Sequence, residues 1–300
     1  MPGGGWGYNH HWPVDADSIA NALLFLATRA EVPTDRWSPA RERLLATQHA
    51  DGSFTTILDP EAWLVRFRST TPEVTGWTAS HPCVTAVVGL LLARLDGERE
   101  RAGATRALAY LLRCQRAEGA WDAYWWMGGL YTTCRAIEAM TELGRHTELP
   151  GAERSLSRAI AWVAGSQRPD GGWATAEHGR SKAFHTALAV QALCTVPCPE
   201  PTVAGAVARG LRWLVAHQLP DGSWPATPIL RVPRPDCVAP WEQTTWAESN
   251  LGLDVVVADW RRLFTTATVI RALYSVAENG EDTAAAPTGA LPHRAGRDDA

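Results

Sequence analysis

Gln167-Arg168-Pro169-Asp170-Gly171-Gly172-Trp173 decides the fold, because it recurs. Gln48-His49-Ala50-Asp51-Gly52-Ser53-Phe54, Gln115-Arg116-Ala117-Glu118-Gly119-Ala120-Trp121 and Gln218-Leu219-Pro220-Asp221-Gly222-Ser223-Trp224 follow the same pattern: Gln, three residues, Gly, one residue, aromatic. The four starts are 67, 52 and 51 residues apart, a period typical of repeat architectures. An Asp-Gly or Glu-Gly turn stops a helix, the Gln amide can bond the backbone groups left open, and the aromatic covers them. Three of the motifs also carry an aromatic five residues upstream, at Tyr110, Trp162 and Trp213.

Outward from these marks the chain reads as alternating helices. Apolar ones are expected near 16–29, 82–95, 129–143, 184–195 and 263–277, and amphipathic ones near 37–48, 102–115, 152–167 and 203–218. A helix that is apolar nearly all round belongs inside, and one with arginines along one side belongs outside. Nothing reads as a strand. The expectation is an all-α fold, an alpha/alpha toroid or double-layered helical barrel, forming a single domain over 1–278 with a disordered tail over 279–300.

Composition bounds the function. The net charge of −4, from 28 bases against 32 acids, offers no polybasic surface for nucleic acid. No run reaches the roughly 20 apolar residues of a membrane span, and the first residues lack a secretory signal, so a cytoplasmic location is expected. The six cysteines (Cys83, Cys114, Cys134, Cys194, Cys198, Cys237) are too scattered for a zinc cage and read as buried thiols. Fifteen tryptophans in 300 residues are far more than a core needs, in keeping with a repeated device.

Near the start, Pro13-Val14-Asp15-Ala16-Asp17-Ser18-Ile19-Ala20-Asn21 places two carboxylates just ahead of an apolar helical run. Asp15 suits the N-cap, with Asp17 and Ser18 in the first turn. Acids at a helix start are common because they complement the dipole, so this stretch alone reads as capping.

Together these marks resemble the squalene–hopene cyclase and oxidosqualene cyclase superfamily of class II terpene cyclases. The Gln motifs resemble that family's tryptophan repeat. Asp15-x-Asp17-Ser18-x-Ala20, preceded by Gly4-Gly5-Trp6, resembles its acid motif, and Gly119 to Thr133 resembles the segment whose Trp and Tyr line the cavity, at Trp125 and Tyr131. Asp259-Trp260-Arg261-Arg262-Leu263-Phe264 resembles a further lining stretch. The resemblance implies that Asp17 protonates an isoprenoid alkene, with Asp15 and Ser18 beside it. It also implies that Trp125, Tyr131 and Trp260, with Trp126 and Phe264 in support, shepherd carbocations by their ring faces. Core packing is the alternative for each aromatic. No metal and no cofactor are required.

Four departures qualify this. Ser18 replaces the last Asp of the acid motif. Cys83-Val84-Thr85-Ala86-Val87 stands where hopene-forming members carry an Asp and an acid-anchoring His, leaving His10, His11 or His185 as substitutes. The chain starts within a repeat motif and holds about nine long helices where a complete toroid has twelve. The Pro-rich stretch over 225–259 is long enough to be a lid or an interaction surface. An incomplete toroid leaves an opening for that stretch, a further copy of the chain, a second helical subunit or a peripheral membrane contact. Two other readings stay open: a non-catalytic or partner-dependent subunit, and a prenyltransferase β-subunit-like protein. The latter needs three zinc ligands, and only Phe184-His185-Thr186 and Asp236-Cys237 hint at them.

Overall fold

The sequence period becomes a fold through one clasp, repeated. The computed structural model describes residues 4–8, 12–28, 37–67, 74–175, 179–197, 200–250 and 252–284. Gln48, Gln115 and Gln167 each donate their amide to two carbonyls, one at the motif glycine and one on the next outer helix: Gly103, Ser155 and Ala206 respectively, at 2.8–3.0 Å. An arginine of that next helix (Arg106, Arg158 or Arg209) donates to the same Gln oxygen. The indole N–H of Trp121, Trp173 and Trp224 returns to a carbonyl ten residues upstream, at Leu111, Val163 and Leu214. Going inward, the backbone N–H of Phe54, Trp121 and Trp173 donates to Thr85, Thr133 and Thr186 in the first turns of the following inner helices. Each of the first three motifs therefore pins two outer helices and one inner helix. Its glycine takes a positive φ, and a Cβ at Gly52 or Gly119 would sit well inside contact distance of the Arg106 or Arg158 carbonyl.

Every expected helix forms. The inner ones are α1 (Ala16–Leu26), α4 (Pro82–Arg94), α6 (Leu130–Gly144), α8 (Ala183–Cys194) and α10 (Leu263–Ala284). The outer ones are α2 (Ser38–Ala46), α5 (Glu98–Cys114), α7 (Ala152–Gly165) and α9 (Pro201–Ala216). A short helix not anticipated, α3 (Pro60–Phe67), follows the first motif. Burial separates the layers. α4 from Pro82 to Leu92 and α8 from Ala183 to Leu193 are buried on all sides, whereas α7 buries only Ser155, Ala159 and Val163. Small residues bring the layers close, as at Gly210, which faces the Trp173 ring and Val190. The inner helices pack side by side in the order α1, α4, α6, α8, α10, and α2, α5, α7 and α9 each pack on the inner helix before them. Among the described residues no comparable contact joins α10 to α1, so the inner helices form an arc rather than a closed ring.

Two expectations are corrected. The protein is mostly helical, not all-α. The Pro-rich stretch holds a three-stranded sheet in the order β1 (Pro228–Val232), β3 (Val255–Ala258), β2 (Ala247–Glu248), with β1 antiparallel and β2 parallel to β3. Prolines at 228, 233 and 235 bound β1, and its five residues are too few for the alternation to stand out in the sequence. The tail expected from 279 begins inside α10, which continues to Ala284; 285–300 lie outside the described residues. No helix among those described is long and apolar enough to cross a membrane.

Candidate active site

Asp15 caps α1. Its carboxylate accepts the Ser18 backbone N–H at 2.7 Å and the Ser18 hydroxyl at 2.8 Å, leaving the neighbouring Asp17 in the first turn with a different fate. Asp17 Oδ1 is buried and has no hydrogen-bond partner. Burial, then the charge of Asp15, push its carboxyl up to about 7, against an opposing pull from Arg135. Burial also raises Asp15, to about 6, although the bonds from Ser18 hold it down. Between them the two environments give one carboxylate with its lone pairs engaged and one acid still about half protonated at neutral pH.

The surroundings of Asp17 come from α4 and α6. Cys83, where hopene-forming relatives carry Asp, accepts the Tyr124 N–H at 3.4 Å, and burial raises its thiol to about 11, so it stays protonated. Val87, where the anchoring His would be, is fully buried. From α6, the buried Arg135 lowers Asp17 by its charge, and Tyr131, one turn earlier, is itself raised by the charge of Asp17.

The aromatic residues named from the sequence fall into two groups. Trp126 stacks on Tyr131 (centroids 3.9 Å, 9° between planes) and on Phe184 (5.5 Å, 10°), and His185 meets Phe184 edge-on. Trp125 stands apart from that stack. It meets Trp77 at a tilt and Tyr124 and His81 edge-on, so no parallel ring covers its faces among the described residues. A ring free of parallel stacking can turn a face to a cation more readily than one sandwiched in a stack, which contributes packing. Trp125 is thus the better placed for cation contact, and Trp126 reads as core.

Trp260 and Phe264 are 61% and 47% exposed, Trp260 lies under the Arg261 guanidinium, and neither joins the aromatic groups near Asp17. They sit at the start of α10, on the open side of the arc. His10 and His11 lie outside the described residues.

Two residues that the sequence did not single out hold Trp125 and the acid helix together. Thr56 accepts the Trp125 indole N–H at 2.5 Å and donates to His81 Nδ1 at 2.8 Å, and the Thr56 carbonyl accepts the Ala16 N–H at the start of α1. His81 Nε2 faces the Gly76 carbonyl at 2.8 Å, which fixes Nε2 as the protonated nitrogen and Nδ1 as the acceptor. Burial pushes His81 down to about 4, so the neutral ring this chain of bonds requires persists. Thr56 thereby sets the distance between Trp125 and the acid.

The Pro-rich stretch lies over the same segment. The Arg231 guanidinium donates to the carbonyls of Ala123 and Tyr124, its backbone N–H donates to Trp125, the Tyr124 hydroxyl donates to Cys237, and the Trp77 indole donates to Pro233. Two surface clefts, one along Pro150, Arg154 and Arg158 and one along Gln48, Ile57 and Thr78, are not lined by Asp17, Trp125 or Tyr131. No group of three His, Cys, Asp or Glu residues gathers in metal-binding geometry among the described residues, which leaves the zinc reading without a ligand set there.

A capped acid helix, an inner helical layer and a clasp repeated at tryptophan motifs define a terpene-cyclase-type domain. The chain belongs to the squalene-hopene cyclase C-terminal domain family, whose model matches residues 2–231. It is 31% identical over 236 residues to drimenyl diphosphate synthase from Streptomyces showdoensis, covering 78% of this chain and 40% of that protein. It is 27% identical over 266 residues to squalene hopane cyclase afumA from Aspergillus fumigatus, covering 73% and 36%. The chain thus spans two fifths or less of the length of these two relatives. In structure it is similar to the type II terpene cyclase MstE from Scytonema, solved as a variant in complex with its substrate geranylgeranyl dihydroxybenzoate. The TM-score is 0.81 at 28% identity, covering 93% of this chain and 78% of that one.

Proposed function

We propose that the chain carries the acid site of a class II terpene cyclase, an enzyme that closes rings in an isoprenoid by protonating an alkene. The observation that carries this reading is Asp17: a carboxyl whose Oδ1 is buried without a partner and whose acidity is weakened to about 7 by burial and by Asp15. In the reaction, the Asp17 O–H bond breaks as a C–H bond forms on one alkene carbon, leaving a cation on the other. A neighbouring alkene attacks that cation, and loss of a proton at the end makes the product an isomer of the substrate. Asp15 and Ser18 keep the second carboxylate engaged in hydrogen bonds, so that it does not quench the cation. The Trp125 ring, on which no parallel ring stacks among the described residues, stabilises positive charge without offering a nucleophile. The isoprenoid substrate class follows from the relatives.

A second reading has its own support. Phe25, Leu263, Ile270 and Tyr274 are 45–67% exposed on the inner helices at the two ends of the arc, and neither of the clefts described above reaches Asp17. In this reading the domain reacts only when another helical element completes its cavity.

The test is incubation of the purified chain with squalene, farnesyl diphosphate and geranylgeranyl dihydroxybenzoate, with products read by mass spectrometry. Asp17→Asn should abolish any cyclisation seen, and Asp15→Asn should slow it less. An Asp17→Asn protein cyclising at the normal rate would end the proposal.

A further inference from the structure

α6 carries an anomaly that the acid site explains. Leu130 to Thr141 are buried without exception, yet this segment includes an Arg and a Glu. Arg135 Nη1 donates to both oxygens of Glu138 at 2.8 Å, with side-chain exposures of 7% and 1%. Taking such a pair out of water costs about as much as its attraction returns, so stability alone is a weak reason for it. The pair is also unbalanced. Arg271 of α10 approaches Glu138 at 3.6 Å, and Arg94 of α4 approaches Glu142 one turn further along α6, at 3.7 Å. Glu138 is shared between two guanidiniums, so the positive charge of Arg135 is only partly cancelled.

What that charge meets is a run of side chains that leads back to the acid. Asp17 Oδ1 and Arg135 Nε are both buried without hydrogen bonds. The Arg135 guanidinium lies over the Tyr131 ring at 5.4 Å, and Tyr131 is in turn influenced by Asp17 and Asn21. Asn21 sits one turn along α1 and donates to the Asp17 carbonyl at 3.0 Å. Asn21 thus links the first turn of α1 to Tyr131, whose ring carries the Arg135 guanidinium.

We infer that Arg135, clamped by Glu138 and shared with Arg271, is the positioning cation of Asp17, supplying from α6 the support that Val87 cannot give from α4. The inference rests on reading Asp17 as the acid. Burial and Asp15 both resist ionisation, so an acid governed by them alone would hold its proton too tightly to pass it to an alkene. A cation behind it stabilises the carboxylate as the proton leaves. The groups facing Asp17 are Asp15 and Ser18 from its own end of α1, Cys83 from α4, and Tyr131 and Arg135 from α6, with Glu138 and Arg271 behind. Of these, only Arg135 lowers Asp17 by its charge.

The test reads Asp17 itself, so it gives an answer even if no isoprenoid is consumed. Infrared difference titration of the full chain, with Asp17→Asn as the blank, follows the protonated carboxyl band of Asp17 against pH. Arg135→Gln alone strands Glu138 and threatens folding, so the main variant is Arg135→Gln with Glu138→Gln, which removes both charges at nearly constant volume. Its titration midpoint should move up by about one pH unit or more, a tenfold weaker acid, while Arg135→Lys stays near the wild type. A folded double variant that titrates at the wild-type midpoint, or an Arg135→Lys protein that shifts as far as the double variant, overturns the inference.

Discussion

Replacing Asp17 by Asn should make the protein more stable at pH 8 and leave it nearly unchanged at pH 4. In the folded chain the carboxyl is raised from the ordinary 3.8 to about 7. The native state therefore holds this proton more tightly than the unfolded chain does. The stability this gives is fully present below about pH 4 and is lost as pH rises through about 7. Slightly more than three units at 1.36 kcal/mol each set an upper bound of about 4 kcal/mol for ionising Asp17 in place. Asp17 is only partly buried as a whole residue, and solvent screening at its second oxygen reduces the cost to about 2–4 kcal/mol. The Asn variant never bears that cost, and its amide is close in shape to the protonated acid. Urea unfolding at pH 4 and pH 8 measures the difference between the two gaps, so any pH-independent effect of the substitution cancels. A variant destabilised equally at both pH values would refute the claim that Asp17 is a buried acid, whatever its activity.

Three other perturbations test the supports around it. Thr56→Val strands the Trp125 indole N–H and His81 Nδ1, at about 1–3 kcal/mol each in an unfolding titration, while Thr56→Ser should be close to neutral. Gly52→Ala should cost at least about 2 kcal/mol more than Gly151→Ala by the same measurement. Both glycines have positive φ, but a Cβ at Gly52 meets the Arg106 carbonyl and one at Gly151 meets nothing within 4 Å. His81, depressed to about 4, should show no proton uptake by NMR between pH 8 and pH 5.5; a midpoint near 6.5 would contradict its place in the Thr56 chain. Because the unfolded ring takes up its proton first, His81 contributes stability that fades as pH falls from about 6.5 towards 4, opposite in sign to Asp17.

The helices were legible because their signals are local. The Asp-Gly turns and the Gln and Trp spacing mark where the outer helices stop, and continuous apolar runs mark α4 and α8 as inner ones. The acid motif was equally plain, since Asp15, Asp17 and Ser18 need only one helix start to come together. The sheet was not legible: β1 is bounded by prolines and owes its pairing to β3, some twenty-five residues later. Thr56 and His81 were missed because what matters about them is whom they touch, Trp125 and the start of α1, and no spacing rule connects those positions. Arg135 did leave a trace, as an Arg and Glu three apart in an otherwise apolar helix, but only the fold puts Asp17 in front of it. Trp260 and Phe264 were named from family pattern alone, and they stand exposed at the start of α10, apart from the aromatic groups near Asp17.

The bonds from Arg231, Cys237 and Pro233 to the Ala123–Trp125 segment and Trp77 bear on how the protein is made. They join residues 107 to 156 positions apart, so the aromatic segment beside the acid cannot reach its final form from local contacts. At ordinary elongation rates of about 5–20 residues per second, the Tyr124 and Trp125 backbone waits roughly 5–20 seconds for its partners to be synthesised. Closing so long a loop is slow even after release. The repeat clasps can form in order as each pair of helices emerges, but the acid site is among the last parts to set. A nascent chain therefore passes through a stage in which the toroidal arc is assembled and Trp77, Tyr124 and Trp125 are still uncovered, and that stage is where a chaperone would find it.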